Sequence, residues 1–164
     1  MTVIELMLEE LQQEAKTTRK MLSRVPVDKF DWKPHAKSMS LKSLATHIAE
    51  LPAWITLALN TDELDFESSP YRPTPVGTNN ELMELHETSL ASAINGLQAT
   101  NEQTLNKPWT LRMGSKILSS STKLDTIRMS QSQTIHHRAQ LGVYLRLLDI
   151  PIPGSYGPSA DEAF

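Results

Sequence analysis

Five histidines and no cysteine define the chemistry open to this chain of 164 residues. Without a thiol there is no disulfide, no thiolate nucleophile and no Cys-ligated zinc or iron–sulfur centre. Metal chemistry, if the protein performs any, must use imidazole, carboxylate, amide or water. His47 stands three residues after Leu44 and four before Leu51, and His137 stands four before Leu141. Each therefore falls within the apolar stripe of a separate helical segment. Burying an imidazole without a partner costs about 1–3 kcal/mol, so each ring needs a hydrogen bond or a metal. Two readings stay open: core histidines bonded to local acceptors, or a pair converging on one ion between helices. The glycines are isolated apart from Gly154 and Gly157, which leaves no phosphate loop, nucleophile elbow or dinucleotide fingerprint.

The other ionisable residues read as less specific. His35 lies in a connector, where a loop can bring it to the mouth of a pocket as a proton carrier or leave it solvated, and the solvated position is the preferred reading. His86, among acids in Glu84-Leu85-His86-Glu87, reads as a surface residue. Glu50, three after His47, is either an acceptor supporting that ring or part of a solvated face, and the solvated face is the preferred reading. Arg138 and Arg146 read as partners for acids of the first helix.

Four long amphipathic segments must position these groups. The first opens with Thr2 and Glu5 in capping-box spacing and runs to near Pro26. Residues 27–40 form an ordered connector containing Phe30, Trp32 and Pro34. The second helix starts after Ser40, with Leu41, Leu44, Ala45, Ile48, Leu51, Ile55 and Ala58 as its stripe. Pro52 lies inside that stripe and must kink or break it, because it has no N–H for the carbonyl of Ile48. Residues 61–78, with three prolines, read as a long loop. The third helix is expected from Asn79 or Asn80 to about Leu105, a small hairpin over 107–121, and the fourth helix from Lys123 or Leu124 to Leu148. The turn-rich tail is expected to wrap the body. This pattern predicts an all-α four-helix bundle with at least one crossover connection.

The length allows a single domain, and a domain of this size builds a core without metal or disulfide staples. Sixteen basic against nineteen acidic residues give a net charge of −3, with no like-charge block, so the chain lacks the positive footprint of a nucleic-acid binder. The uncharged run from Leu51 to Thr61 is far short of the roughly 20 residues of a membrane span. MTVIELMLEELQQEAK lacks the basic start and apolar core of a signal peptide, so cytoplasmic residence is the expectation.

The run Thr134-Ile135-His136-His137-Arg138-Ala139-Gln140-Leu141-Gly142-Val143-Tyr144-Leu145-Arg146, followed by Pro151, Tyr156-Gly157-Pro158 and Ser159-Ala160-Asp161, resembles the C-terminal part of DinB family proteins. Leu44-Ala45-Thr46-His47-Ile48-Ala49 is similar to the family's second-helix histidine segment, and Asp31-Trp32-Lys33-Pro34 to its connector. The resemblance implies a four-helix bundle, usually a homodimer, that holds a divalent metal such as zinc or nickel. It implies one histidine from the second helix, which maps onto His47, and two from the fourth helix four residues apart. The second of these maps onto His137, immediately before Arg138; the first position is occupied by Gln133. Residues four apart share a helix face, so Gln133 and His137 can address one ion. An amide oxygen is a poorer donor than imidazole for zinc or nickel, so affinity is expected to fall. His136 projects about 100° away from His137, so it reads as an ordinary partly exposed histidine, with a place at the rim of the site as the alternative. Relatives in the wider superfamily use low-molecular-weight thiols, which implies a thiol-dependent transferase or hydrolase acting on a small molecule. The competing expectation is a catalytically silent or small-ligand-binding bundle that has lost its metal through Gln133.

Overall fold

The computed structural model describes residues 1–163. Its elements run α1 (Val3–Leu22), a 3-10 turn (Val27–Lys29), α2 (Leu41–Glu50), α3 (Ala53–Asn60), β1 (Glu63–Asp65), α4 (Asn79–Ala99), α5 (Glu102–Leu105), β2 (Pro108–Met113), β3 (Lys116–Thr122) and α6 (Lys123–Leu147). The chain is mostly helical, with a small three-stranded sheet ordered β1-β2-β3. The all-α expectation is thereby corrected.

Helix starts follow from the sequence. Thr2 with Glu5, Thr78 with Glu81 and Thr122 with Asp125 each form a reciprocal capping box, so the free N–H groups at the heads of α1, α4 and α6 are met locally. Ser40 caps α2 by accepting from the Ser43 N–H. Pro52 divides the second helical segment into α2 and α3, as its missing N–H requires. The third helix ends at Ala99, short of the expected Leu105, because Asn101 leaves the helical path and caps the separate turn α5.

The sheet forms where one strand was unexpected. β2 and β3 are the anticipated hairpin, paired antiparallel, with Gly114 at φ +57 in its turn. β1 lies in the stretch expected to be loop. It pairs in parallel with β2, Glu63 opposite Thr110, and Asp65 Oδ1 accepts the Gly114 N–H at 2.9 Å. Trp109, buried on β2, donates from its indole to Thr61 Oγ1 at 3.1 Å. The buried Lys123 donates to the carbonyls of Leu59 and Thr61 at 3.2 and 2.6 Å and pairs with Asp62, anchoring the end of α3 to the head of α6.

Two apolar clusters form the core. One gathers Leu22, Leu41, Leu44, Ile48, Leu82, Leu141 and Leu145, and the other Leu11, Ile55, Leu90, Leu97 and Ile127. Between them, at the level of the Pro52 break, lies a buried polar belt. Thr18 of α1, His86 and Ser89 of α4, and Ser130, Gln131, Thr134 and Arg138 of α6 belong to it. Arg138 pairs with Glu14 at 2.6 Å, the expected bridge to the first helix. Arg146 pairs instead with Asp161 of the tail, because its position near the end of α6 lies under the returning chain. The tail wraps the body through that pair, through Lys20–Glu162 at 2.8 Å, and through Tyr156, whose hydroxyl donates to Glu14 at 2.9 Å.

Candidate functional site

His47 projects from the last turn of α2, and its carbonyl accepts the Leu51 N–H that closes this helix before Pro52. His137 projects from the middle of α6. The two imidazole centres are 4.8 Å apart, edge to face at 73°. Both are half-buried, so they meet at the rim of the core and not at its centre. Burial pushes the proton affinity of His47 below the ordinary histidine value; a charge on His137 pushes the same way, and Glu50 opposes both. His47 is thus kept a neutral ring with a lone pair to offer.

His137 Nδ1 lies 2.8 Å from Gln140 Oε1. An amide oxygen only accepts, so Nδ1 carries the hydrogen and the lone pair stays on Nε2. Gln133 is half-buried one turn ahead of His137 on the same helix face. His136 is exposed, its ring centre 5.0 Å from that of His137. His35 is exposed in the connector, where its Nδ1 accepts the Lys37 N–H at 3.1 Å.

Two residues near this pair carry more than the sequence suggested. Glu50 is half-buried, not simply solvated: its two oxygens accept from the Tyr71 hydroxyl and the Thr74 N–H, both at 2.7 Å. This holds the proline-rich segment against α2 and sets the Tyr71 ring edge-on to His47, with centres 6.4 Å apart. Burial first, and then the Glu50 carboxylate, raise the pKa of the Tyr71 phenol, so it remains a donor. Nothing in the periodicity of the proline-rich segment marks Tyr71 in advance.

His86 is a correction. It is 1% exposed, inside the polar belt, and neither ring nitrogen has a hydrogen-bond partner among the described residues. The acids beside it suggested a surface position, yet it stands four residues after Leu82 and four before Leu90, both buried. That spacing was the available signal.

Two imidazoles with centres 4.8 Å apart can address one ion through bonds of about 2 Å. Among the described residues, no group of three or more His, Cys, Asp or Glu side chains could hold a metal, so any third protein donor must be of another type. Gln133, half-buried one turn ahead of His137, offers a neutral amide oxygen, a weak donor for a divalent metal.

Fold and site together define a mostly helical protein with a histidine pair facing across two helices. The sequence profile of the DinB family matches residues 1–163, and the chain belongs to that family. A DinB-like protein from Bacillus subtilis superposes with a TM-score of 0.70 at 16% identity, over 97% of this chain and 99% of that one. A DinB-like protein from Bacillus cereus does so with a TM-score of 0.70 at 17% identity, over 93% and 97%. The mycothiol-dependent maleylpyruvate isomerase shares the fold at a TM-score of 0.60 and 17% identity, over 86% of this chain and 61% of that one. No curated protein matches the sequence. Among the described residues no helix is long and apolar enough to cross a membrane.

Proposed function

We propose that His47, His137 and Gln133 hold a divalent metal, zinc or nickel, and that the cleft carries thiol-dependent transfer or hydrolysis on a small molecule. The observation that carries this reading is the 4.8 Å approach of two half-buried imidazoles from separate helices. A metal with three protein donors and an open position supplies Lewis-acid chemistry and lowers the pKa of a bound thiol. The chain's own residues orient and enclose. Gln140 fixes the tautomer of His137, Glu50 seats the Tyr71 segment beside His47, and His136 lies at the rim. His35, exposed in the connector, would serve as a proton carrier for the cleft. Counting α2 and α3 as one rod bent at Pro52, this is a four-helix bundle, working as a cytoplasmic homodimer with a low-molecular-weight thiol as cosubstrate. The likeness to a mycothiol-dependent enzyme supports the thiol.

A second reading, a silent or small-ligand-binding bundle, is favoured by the lack of a third His, Cys, Asp or Glu donor among the described residues. Calorimetric titration of the protein with zinc and nickel separates the two. The metal reading expects binding that His137→Ala abolishes and that Gln133→His strengthens by at least about tenfold, since even supporting changes at metal sites shift affinity about 10- to 100-fold. No binding by the wild type and no gain in Gln133→His would leave the second reading.

A further inference from the structure

The buried belt between the two apolar clusters encloses a small cavity that neither His47 nor His137 lines. Its volume is about 10 Å³; apolar side chains and Pro52 at the helix break make up most of its wall, and the polar groups on it come from α1 (Glu14, Thr18), α4 (His86) and α6 (Ser130, Gln131, Thr134). A cavity of that size holds one water molecule, provided polar groups surround it. His86, 1% exposed and without a hydrogen-bond partner on either nitrogen among the described residues, faces this space.

The hydrogen-bond inventory of the walls shows what is missing. The Ser130 hydroxyl gives its only hydrogen to the Leu51 carbonyl at 2.7 Å, and the Thr134 hydroxyl gives its own to the Ser130 carbonyl at 3.1 Å. Thr18 gives its hydrogen to the Glu14 carbonyl and accepts from Arg138. Glu14 is already engaged by Arg138 and Tyr156. What the α6 wall has left is acceptor capacity on Ser130 Oγ and Thr134 Oγ1, and on the amide of Gln131, one N–H of which goes to the Met7 carbonyl at 3.3 Å, while the ring of His86 has an N–H to place.

We propose that this cavity is a binding site for one structural water, which accepts the N–H of neutral His86 and donates its two hydrogens to the Ser130 and Thr134 hydroxyl oxygens. A water is the one ligand that fits both the volume and this pattern, since it accepts from the ring and donates twice. The other ring nitrogen is then left as an acceptor without a partner among the described residues. The site joins α4 to α6 next to the Pro52 break, where side-chain packing is interrupted. It is independent of the proposed metal centre.

The test is a crystal structure at a resolution that places water, together with oxygen-17 magnetic relaxation dispersion, which counts long-lived internal waters in solution. The wild type is expected to show one ordered water within hydrogen-bond distance of an His86 nitrogen and of both hydroxyls. Thr134→Val, which keeps shape and removes an acceptor, is expected to lower the count by one or to shorten that water's residence at least tenfold. A dry cavity, or an His86 ring bonded directly to Ser130 or Thr134, would overturn the proposal. A water with the same residence time in Thr134→Val would also overturn it. Nitrogen-15 shifts of the His86 ring supply a reading on the unmodified protein: one hydrogen-bonded N–H supports the proposal, and a doubly protonated ring sinks it.

Discussion

Gln140 is not itself a proposed metal donor, yet its contact with His137 Nδ1 decides which nitrogen of that ring keeps a lone pair. Gln140→Leu releases Nδ1 and lets both tautomers populate, so zinc affinity is expected to fall about 10- to 100-fold by titration while the fold persists. The histidine pair was legible in the sequence because each ring sits at a helical interval from leucines that face inward. His86 obeyed the same interval, but the charges of Glu84 and Glu87 pointed to solvent, although neighbours along a helix face different directions. Tyr71 was not legible: it is positioned by the Glu50 carboxylate across a long loop, and loops carry no period. Arg138 is the residue on which the belt depends most, since it joins α6 to the Glu14 carboxylate and carbonyl, to Thr18 and to Tyr156 of the tail. Arg138→Met leaves a nearly buried carboxylate short of its cation, and denaturant titration is expected to show a loss of about 3 kcal/mol.

The helices were largely readable as elements because their ends are encoded locally. Three Thr-led capping boxes and one proline fix where α1, α4, α6 and the α2–α3 break begin, whatever surrounds them. The end of α6 is equally local. The Ile150 N–H bonds the Leu145 carbonyl and the Asp149 N–H bonds that of Arg146, a Schellman arrangement that drives Asp149 to φ 58. Asp149→Gly removes the side-chain conflict of that left-handed conformation and is expected to raise stability by up to about 1 kcal/mol, read from the denaturation midpoint. β1 was unreadable for the opposite reason. Glu63-Leu64-Asp65 has no strand character of its own and becomes a strand because β2 offers an edge alongside it. The early end of α4 was hidden likewise, since Leu105 falls two four-residue steps after Leu97, as if on the same face, and the step between them is Asn101, which marks the interruption.

Across the whole molecule, two apolar clusters enclose a polar layer whose one imidazole is sealed from solvent. Burial, chiefly, pushes the pKa of His86 down to about 4; Glu87 opposes the shift and Arg19 adds to it. In the unfolded chain the same ring takes its proton near pH 6.5. Below that pH the unfolded state binds a proton that the folded state refuses, so stability falls as pH drops from about 6.5 to about 4. The contribution is on the order of 3 kcal/mol over that window. It is isolated by comparing wild type with His86→Leu: between about pH 6.5 and 4 the denaturation free energy of the wild type is expected to fall by on the order of 3 kcal/mol more than that of the variant. The sheet has a consequence of another kind. Its parallel pairing joins Glu63 to Thr110 across the entire span of α4, whereas the β2–β3 turn joins near neighbours. Closing so wide a loop loses chain entropy before three short rungs can return anything. The β1 edge is therefore expected to zip shut only after the rods have docked, and its amide hydrogens to exchange sooner than those of the β2–β3 hairpin.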